Sequence, residues 1–170
     1  MKRLLHVDGS WADLLSKWSK QCHEFDEDFE SYMSSTLPML AEQIEICRKD
    51  KWSGVYSVED SDNNYEAICF LNGAFIPKFT GRVLRLRHLI LAPKYDFGDY
   101  SEDEYAALLA KVFESVLSLS DSELPCEHVK IHFRSPADVA IFREFAENLE
   151  DGSHFKGVKM IGSWLFVSKA

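Results

Sequence analysis

Cysteine is scarce and unpatterned in this 170-residue chain: Cys22, Cys47, Cys69 and Cys126 are the four, and no two stand at CxxC spacing. A chain of this size does not depend on disulfide staples, so buried free thiols in a reducing compartment are the expectation. Bases are few as well, 19 Lys and Arg against 28 Asp and Glu, for a formal net charge of −9. That balance argues against nucleic acid as a partner, because such binders carry a broad basic face. No run approaches the roughly 20 apolar residues that span a bilayer, and the opening MKRLLHVDGSWADLL turns polar too soon for a signal peptide. A cytoplasmic protein without membrane contact is therefore expected. No Pro/Gly/Ser-rich linker, repeat or low-complexity segment divides the chain, which points to one domain over residues 1–170. No GxSxG, P-loop, HExxH or dinucleotide fingerprint is present.

What is present suffices for a core: 46% of the residues are hydrophobic and 13% aromatic. Over residues 11–25, Trp11, Leu14, Leu15, Trp18, Cys22 and Phe25 share one helical face, with Ser10 as expected N-cap and Asp13 in the capping-box position. A second helical region carries Pro38 in its first turn and Leu40, Ile44 and Cys47 at helical spacing, leaving two or three helices before residue 50. The period then changes. SGVYSVED and NYEAICFL flank the turn residues SDNN and predict a hairpin, NGAFIPKFTG between Gly73 and Gly81 reads as a loop, and RVLRLRHLIL reads as a strand completing an antiparallel meander.

Residues 102–118 hold the most regular helix, with Tyr105, Leu108, Leu109, Val112, Phe113, Val116 and Leu117 on one face, Ser101 as N-cap and Glu104 closing a capping box. HVKIHFR then alternates as a strand. SPADVAIFREFAENLEDG follows as a helix with Ser135 as N-cap, Pro136 at the first position and Gly152 past its end, and KGVKMIGSWLFVS gives one or two further strands. The order predicts an α/β (α+β layered) domain with a mixed, mostly antiparallel central sheet flanked by helices.

This order, and above all LRHLILAPKY feeding a helix that is followed by VKIHFRSPADVAIFREF, resembles the GNAT acyltransferase superfamily over most of the chain. The resemblance implies a central strand that carries an irregularity and splays from its parallel neighbour, leaving a slot for the pantetheine arm of acyl-CoA. It implies cofactor contacts at Leu89 and Leu91, with Lys94, Tyr95, Asp96, Phe97, Gly98, Asp99, Tyr100 and Ser101 facing the phosphates. This turn departs from the family's pattern. Asp96 stands where Arg or Gln is expected, Gly98 is out of register, and Asp96, Asp99, Glu102, Asp103 and Glu104 crowd a position meant for a dianion. Carboxylates in the first turn of a helix also stabilise it without any ligand.

His88 is the candidate catalytic base, since an imidazole ordinarily titrates near 6.5. Strict alternation places it with Leu84, Leu86 and Ile90, whereas a bulge beside it re-aims it toward Arg85 and Arg87. The family's general-acid tyrosine is sought on the helix after the second parallel strand, where Phe142 and Phe145 stand instead. Arg85, Arg87, Lys130, His132 and Arg134 alternate with apolar residues on the two strands as a candidate substrate or anion patch. His128 and His132 are about 13 Å apart on a strand, too far to share one metal ion. Phe75, Ile76, Pro77 and Phe79 form an apolar loop that either folds over the sheet edge or meets a second copy or protein partner.

Two readings follow: a GNAT-like acyltransferase moving an acyl (acetyl) group from acyl-CoA to a small-molecule or peptide amine, or a catalytically degenerate GNAT-shaped binding or protein-interaction module that does not use CoA.

Overall fold

The computed structural model describes residues 1–34, 36–133, 135–150 and 155–170. Three helices open the chain after the short strand β1 (Lys2–Arg3): α1 (Ser10–Glu24), α2 (Phe29–Met33) and α3 (Leu37–Ile46), the last running into a single 3-10 turn at Cys47–Lys49. The meander follows as β2 (Ser53–Glu59), β3 (Tyr65–Phe75) and β4 (Arg82–Leu91). Then come α4 (Pro93–Phe97), α5 (Glu102–Asp121), β5 (His128–His132), α6 (Pro136–Glu150), β6 (Phe155–Ile161) and β7 (Trp164–Lys169).

The strands make one seven-stranded sheet in the order β1-β2-β3-β4-β5-β7-β6. Every neighbouring pair is antiparallel except β4 with β5. On one face α5 and α6 cover the sheet through Leu109, Val112, Phe113, Val116 and Phe142, packed against Leu84, Leu86, Val129, Ile131, Leu165 and Val167. On the other face α1 to α3 cover its first half through Trp11, Leu14, Trp18, Leu40 and Ile44 against Val55, Tyr65 and Ile68. No residue of β5, β6 or β7 enters that second cluster. Among the described residues no helix covers the far half of this face, where Lys130, His132, Trp164 and Phe166 are half-buried and Lys159 and Ile161 are exposed.

Several expectations shift at element ends. The first helix begins at Ser10, and its N-cap is Gly9, whose φ of 76° lies in the left-handed region that glycine tolerates. The Ser10 hydroxyl accepts the Leu5 N–H at 2.9 Å and donates to Asp8 at 2.6 Å, so it ties down the preceding loop. Asn72 to Phe75, read as loop, extend β3, because Asn72, Gly73, Ala74 and Phe75 find register partners along β4. Gly152 lies outside the described residues. The four cysteines are free and buried, and no described helix is long and apolar enough to cross a membrane.

Candidate functional site

The site grows from an irregularity in β4. Its pairing with β3 runs Phe70 to His88 and then Leu71 to Leu86, so Arg87 is the extra residue of a β-bulge. The shift re-aims everything beyond it. Leu84 and Leu86 face α5 and α6, as do Leu89 and Leu91, while His88 turns to the opposite face, that of Arg85 and Ile90, and stacks on Phe70 with ring centroids 6.1 Å apart. Of the two orientations left open for His88, the structure adopts the bulged one.

The parallel pairing of β4 with β5 covers only Val83 to Leu86 against His128 to Ile131. Beyond Leu86 the strands part. The Ala92 N–H donates to Glu66 C=O at 2.9 Å, which sets the alternation of the ladder and turns the main-chain groups of Leu89 and Leu91 away from β3. The Leu91 carbonyl already accepts the Tyr32 hydroxyl at 2.8 Å. A cleft of about 230 Å³ opens here, lined in part by Arg87, His88, Leu89, Tyr105, His132 and Asp138.

Sequence reasoning missed Tyr105 and Asp138 as cleft residues. Tyr105 reads as one of the apolar positions of α5, and Asp138 as an ordinary first-turn acid of α6. Only the parting of the strands brings them together, with the Tyr105 hydroxyl donating to Asp138 Oδ1 at 2.9 Å. Burial raises the Asp138 carboxyl above the usual range, against the lowering effect of the Tyr105 bond. Burial likewise raises the Tyr105 phenol, helped by the charges of Asp138 and Asp96. The family's tyrosine position on α6 is filled by core: Phe142 stacks on Phe133 at 4.2 Å, and Phe145 meets Phe113 edge-on at 5.3 Å.

The turn that would face phosphates is folded into α4 and spends many of its amides locally. Tyr95 N–H donates to Ala92 C=O, Gly98 N–H to Lys94 C=O, and Ser101 N–H to the Glu104 carboxylate, each at 2.9 Å. The Glu104 N–H returns to Ser101 Oγ at 3.3 Å, completing the capping box on α5. Gly98 is required for local packing, since a Cβ there would lie 2.5 Å from the Lys94 carbonyl oxygen. Lys94 is drawn away from the turn by Glu66, at 2.8 Å, and Tyr95 donates its hydroxyl to the same buried carboxylate. Phe97 packs on Tyr32 at 5.4 Å, and Tyr100 on Tyr95 at 4.6 Å. Asp96, at the edge of the cleft, and the exposed Asp99 keep the turn acidic.

On the uncovered sheet face, residue pairing lines up Asn72, Arg85, Lys130, Phe166 and Lys159 across five strands. His132 and Trp164 pair in the next row, their rings 4.3 Å apart. Lys130 Nζ lies 3.9 Å from the Trp164 ring centre and 4.9 Å from that of Phe166. Arg85 Nε donates to Asn72 Oδ1 at 3.1 Å. Arg134, the fifth member of the expected patch, lies outside the described residues. The apolar loop divides: Phe79 folds inward onto His128 and Phe166, at 5.0 and 6.1 Å, while Phe75 stays 71% exposed beside the Arg82 guanidinium. Ile76 is half-buried and Pro77 exposed.

No protein-family model matches the chain, and no curated protein is significantly similar to it in sequence. Among solved structures it is similar to a mutant of the BH1408 protein from Bacillus halodurans, at 12% identity and a TM-score of 0.47, over 94% of this chain and 97% of the other. It is also similar to a SpeG spermidine N-acetyltransferase chimera from Vibrio cholerae and hSSAT, at 16% identity and a TM-score of 0.46, over 99% of this chain and 91% of the other. These are distant likenesses of shape. The chain's own strand order, its bulged central strand and its single parallel pair that parts midway define a GNAT-like α/β fold.

Proposed function

We propose that this chain is a GNAT-like acyl-transfer domain that moves an acyl group from a thioester to an amine. The observation that carries the reading is the parting of β4 from β5 after Leu86, beside the bulge at Arg87. An acyl-CoA, or a related acyl thioester, supplies the activated acyl group when bound. Leu89 turns its main-chain N–H and C=O away from β3, as Leu91 does its N–H, and these groups suit a pantetheine arm, while the Leu91 carbonyl is held by Tyr32. The acidic, capped turn from Tyr95 to Ser101 does not suit the nucleotide phosphates, so the pantetheine end carries the affinity. His88 takes the proton from the attacking amine, and the Tyr105 hydroxyl, which lines the same cleft, gives one to the leaving sulfur as the carbon–nitrogen bond replaces the carbon–sulfur bond.

A second reading has its own observation. The Ser101–Glu104 capping box and the amide use around Gly98 favour a GNAT-shaped binding or protein-interaction module that does not use CoA. Calorimetric titration with acetyl-CoA, dephospho-CoA and free pantetheine separates the two. The transfer reading expects all three to bind with similar affinity. Binding by none of them withdraws it in favour of the interaction module.

A further inference from the structure

We infer that the uncovered sheet face is a binding site for the anionic group of an amine acceptor, with Arg85 and Lys130 as its paired receptors. Arg85 and Lys130 are direct register partners on adjacent parallel strands. Like charges placed opposite one another across strands are destabilising, and a chain with 28 acids has ample means to neutralise them. It does so elsewhere: Arg3, Lys17, Arg48, Lys94 and Lys169 each have a carboxylate within 4.0 Å. Among the described residues no such ion pair involves Arg85, Arg87, Lys130 or His132.

The cations are also held in place. Arg85 is fixed by Asn72, and Lys130 lies against the Trp164 and Phe166 rings, so neither side chain swings freely in solvent. Burial lowers the pKa of both, and each feels a neighbouring arginine. Fixed, partly desolvated and mutually repelling cations form a receptor that an anion completes, because the anion supplies the missing counter-charge. A carboxylate or phosphate seated there has an aromatic wall beside it in Trp164 and Phe166.

The face also opens onto the cleft. Arg87, His88 and His132 line the cleft, and His88 and His132 belong equally to the face of Arg85 and Lys130. A ligand anchored by its anion at Arg85 and Lys130 thus points its remaining end toward His88. This assignment of the occupant as acceptor rests on the acyl-transfer reading. The anion preference itself does not.

The test titrates the protein, without any acyl donor, with glycylphenylalanine and with its C-terminal amide. Binding is followed by NMR at the Lys130 side chain and the Trp164 indole. The free acid is expected to bind at least about tenfold more tightly than the amide, with an advantage that shrinks as salt rises. Lys130→Met and Arg85→Gln, each checked for a native melt, are expected to cut that advantage below about threefold. Equal binding of acid and amide, an advantage unchanged in both variants, or no binding by either peptide at millimolar concentration overturns the inference. An acid preference in a protein that binds neither acetyl-CoA nor pantetheine retires the transfer reading and keeps the anion site. Donor binding without an acid preference retires the anion site alone.

Discussion

The Tyr105 hydroxyl donates to Asp138 Oδ1 at 2.9 Å, joining the first turns of α5 and α6 across the gap that opens between β4 and β5. Burial raises the Asp138 carboxyl above its ordinary 3.8, outweighing the lowering effect of that bond. The folded protein thus keeps this proton to higher pH than the unfolded chain does. Stability falls as pH rises from the ordinary value through the raised one, and the deficit is complete above it. Asp138→Asn accepts the same bond without a charge, so its melting temperature is expected to exceed the parent's at about pH 7 and to match it at about pH 3. An equal advantage at both pH values contradicts the ionisation account.

Tyr105→Phe bears on the chemistry of the same pair. If the phenol protonates the leaving sulfur, the variant loses about 10²–10⁴-fold in acyl-transfer rate while donor affinity changes little. Single-turnover kinetics beside calorimetry separate the two effects. A loss confined to affinity makes Tyr105 a binding residue of the cleft.

The acidic turn gives a gain-of-function test. Unit charges about 4 Å apart interact by about 4 kcal/mol at an effective dielectric near 20, and solvent reduces this for exposed Asp96 and Asp99 neighbours. Asp96→Arg combined with Asp99→Gly is expected to tighten acetyl-CoA binding by about tenfold or more, the equivalent of roughly 1.4 kcal/mol. The gain should be smaller for pantetheine, which lacks the nucleotide phosphates. Identical gains for both ligands would place the effect somewhere other than the turn.

Trp18 reports on how the first helices hold the sheet. Its indole N–H donates to the Tyr65 carbonyl at 3.0 Å, and the side chain is fully buried. Trp18→Phe removes that hydrogen bond and trims a fully buried side chain, at a cost of about 1–3 kcal/mol. For a chain of this size each kcal/mol corresponds to roughly 2–4 °C of melting temperature. A shift below about one degree means that the indole hydrogen bond contributes little to holding α1 on the sheet.

The fold was largely legible because its signals are local. The period-3.6 stripe from Tyr105 to Leu117, the Ser101–Glu104 box and the alternation of Val129, Ile131 and Phe133 each need only near neighbours. The site was less legible because it depends on register. His88 has two faces open to it until the bulge at Arg87 chooses one, and that choice is made by pairing with β3. Tyr105 and Asp138 lie 33 positions apart and meet only through the parting of two strands. Ser10 misled for a related reason: it has the chemistry of a cap, but its hydroxyl bonds to Leu5 and Asp8 of the loop before the helix.

The Arg85–Lys130 pair yields a prediction that stability alone can test. If these cations were placed for the fold, removing one should destabilise it through lost contacts. If they are placed for an anion, the unliganded protein carries their repulsion as a standing cost. Lys130→Met keeps much of the side chain's length against Trp164 and Phe166 while removing the charge. Denaturant unfolding is expected to show the variant as stable as the parent, or more stable by about 0.2–1 kcal/mol, the range for cross-strand pairs. The difference should narrow at high salt, where the repulsion is screened. A loss beyond about 1 kcal/mol that salt leaves unchanged would make Lys130 part of the packing of this sheet face, and its charge incidental.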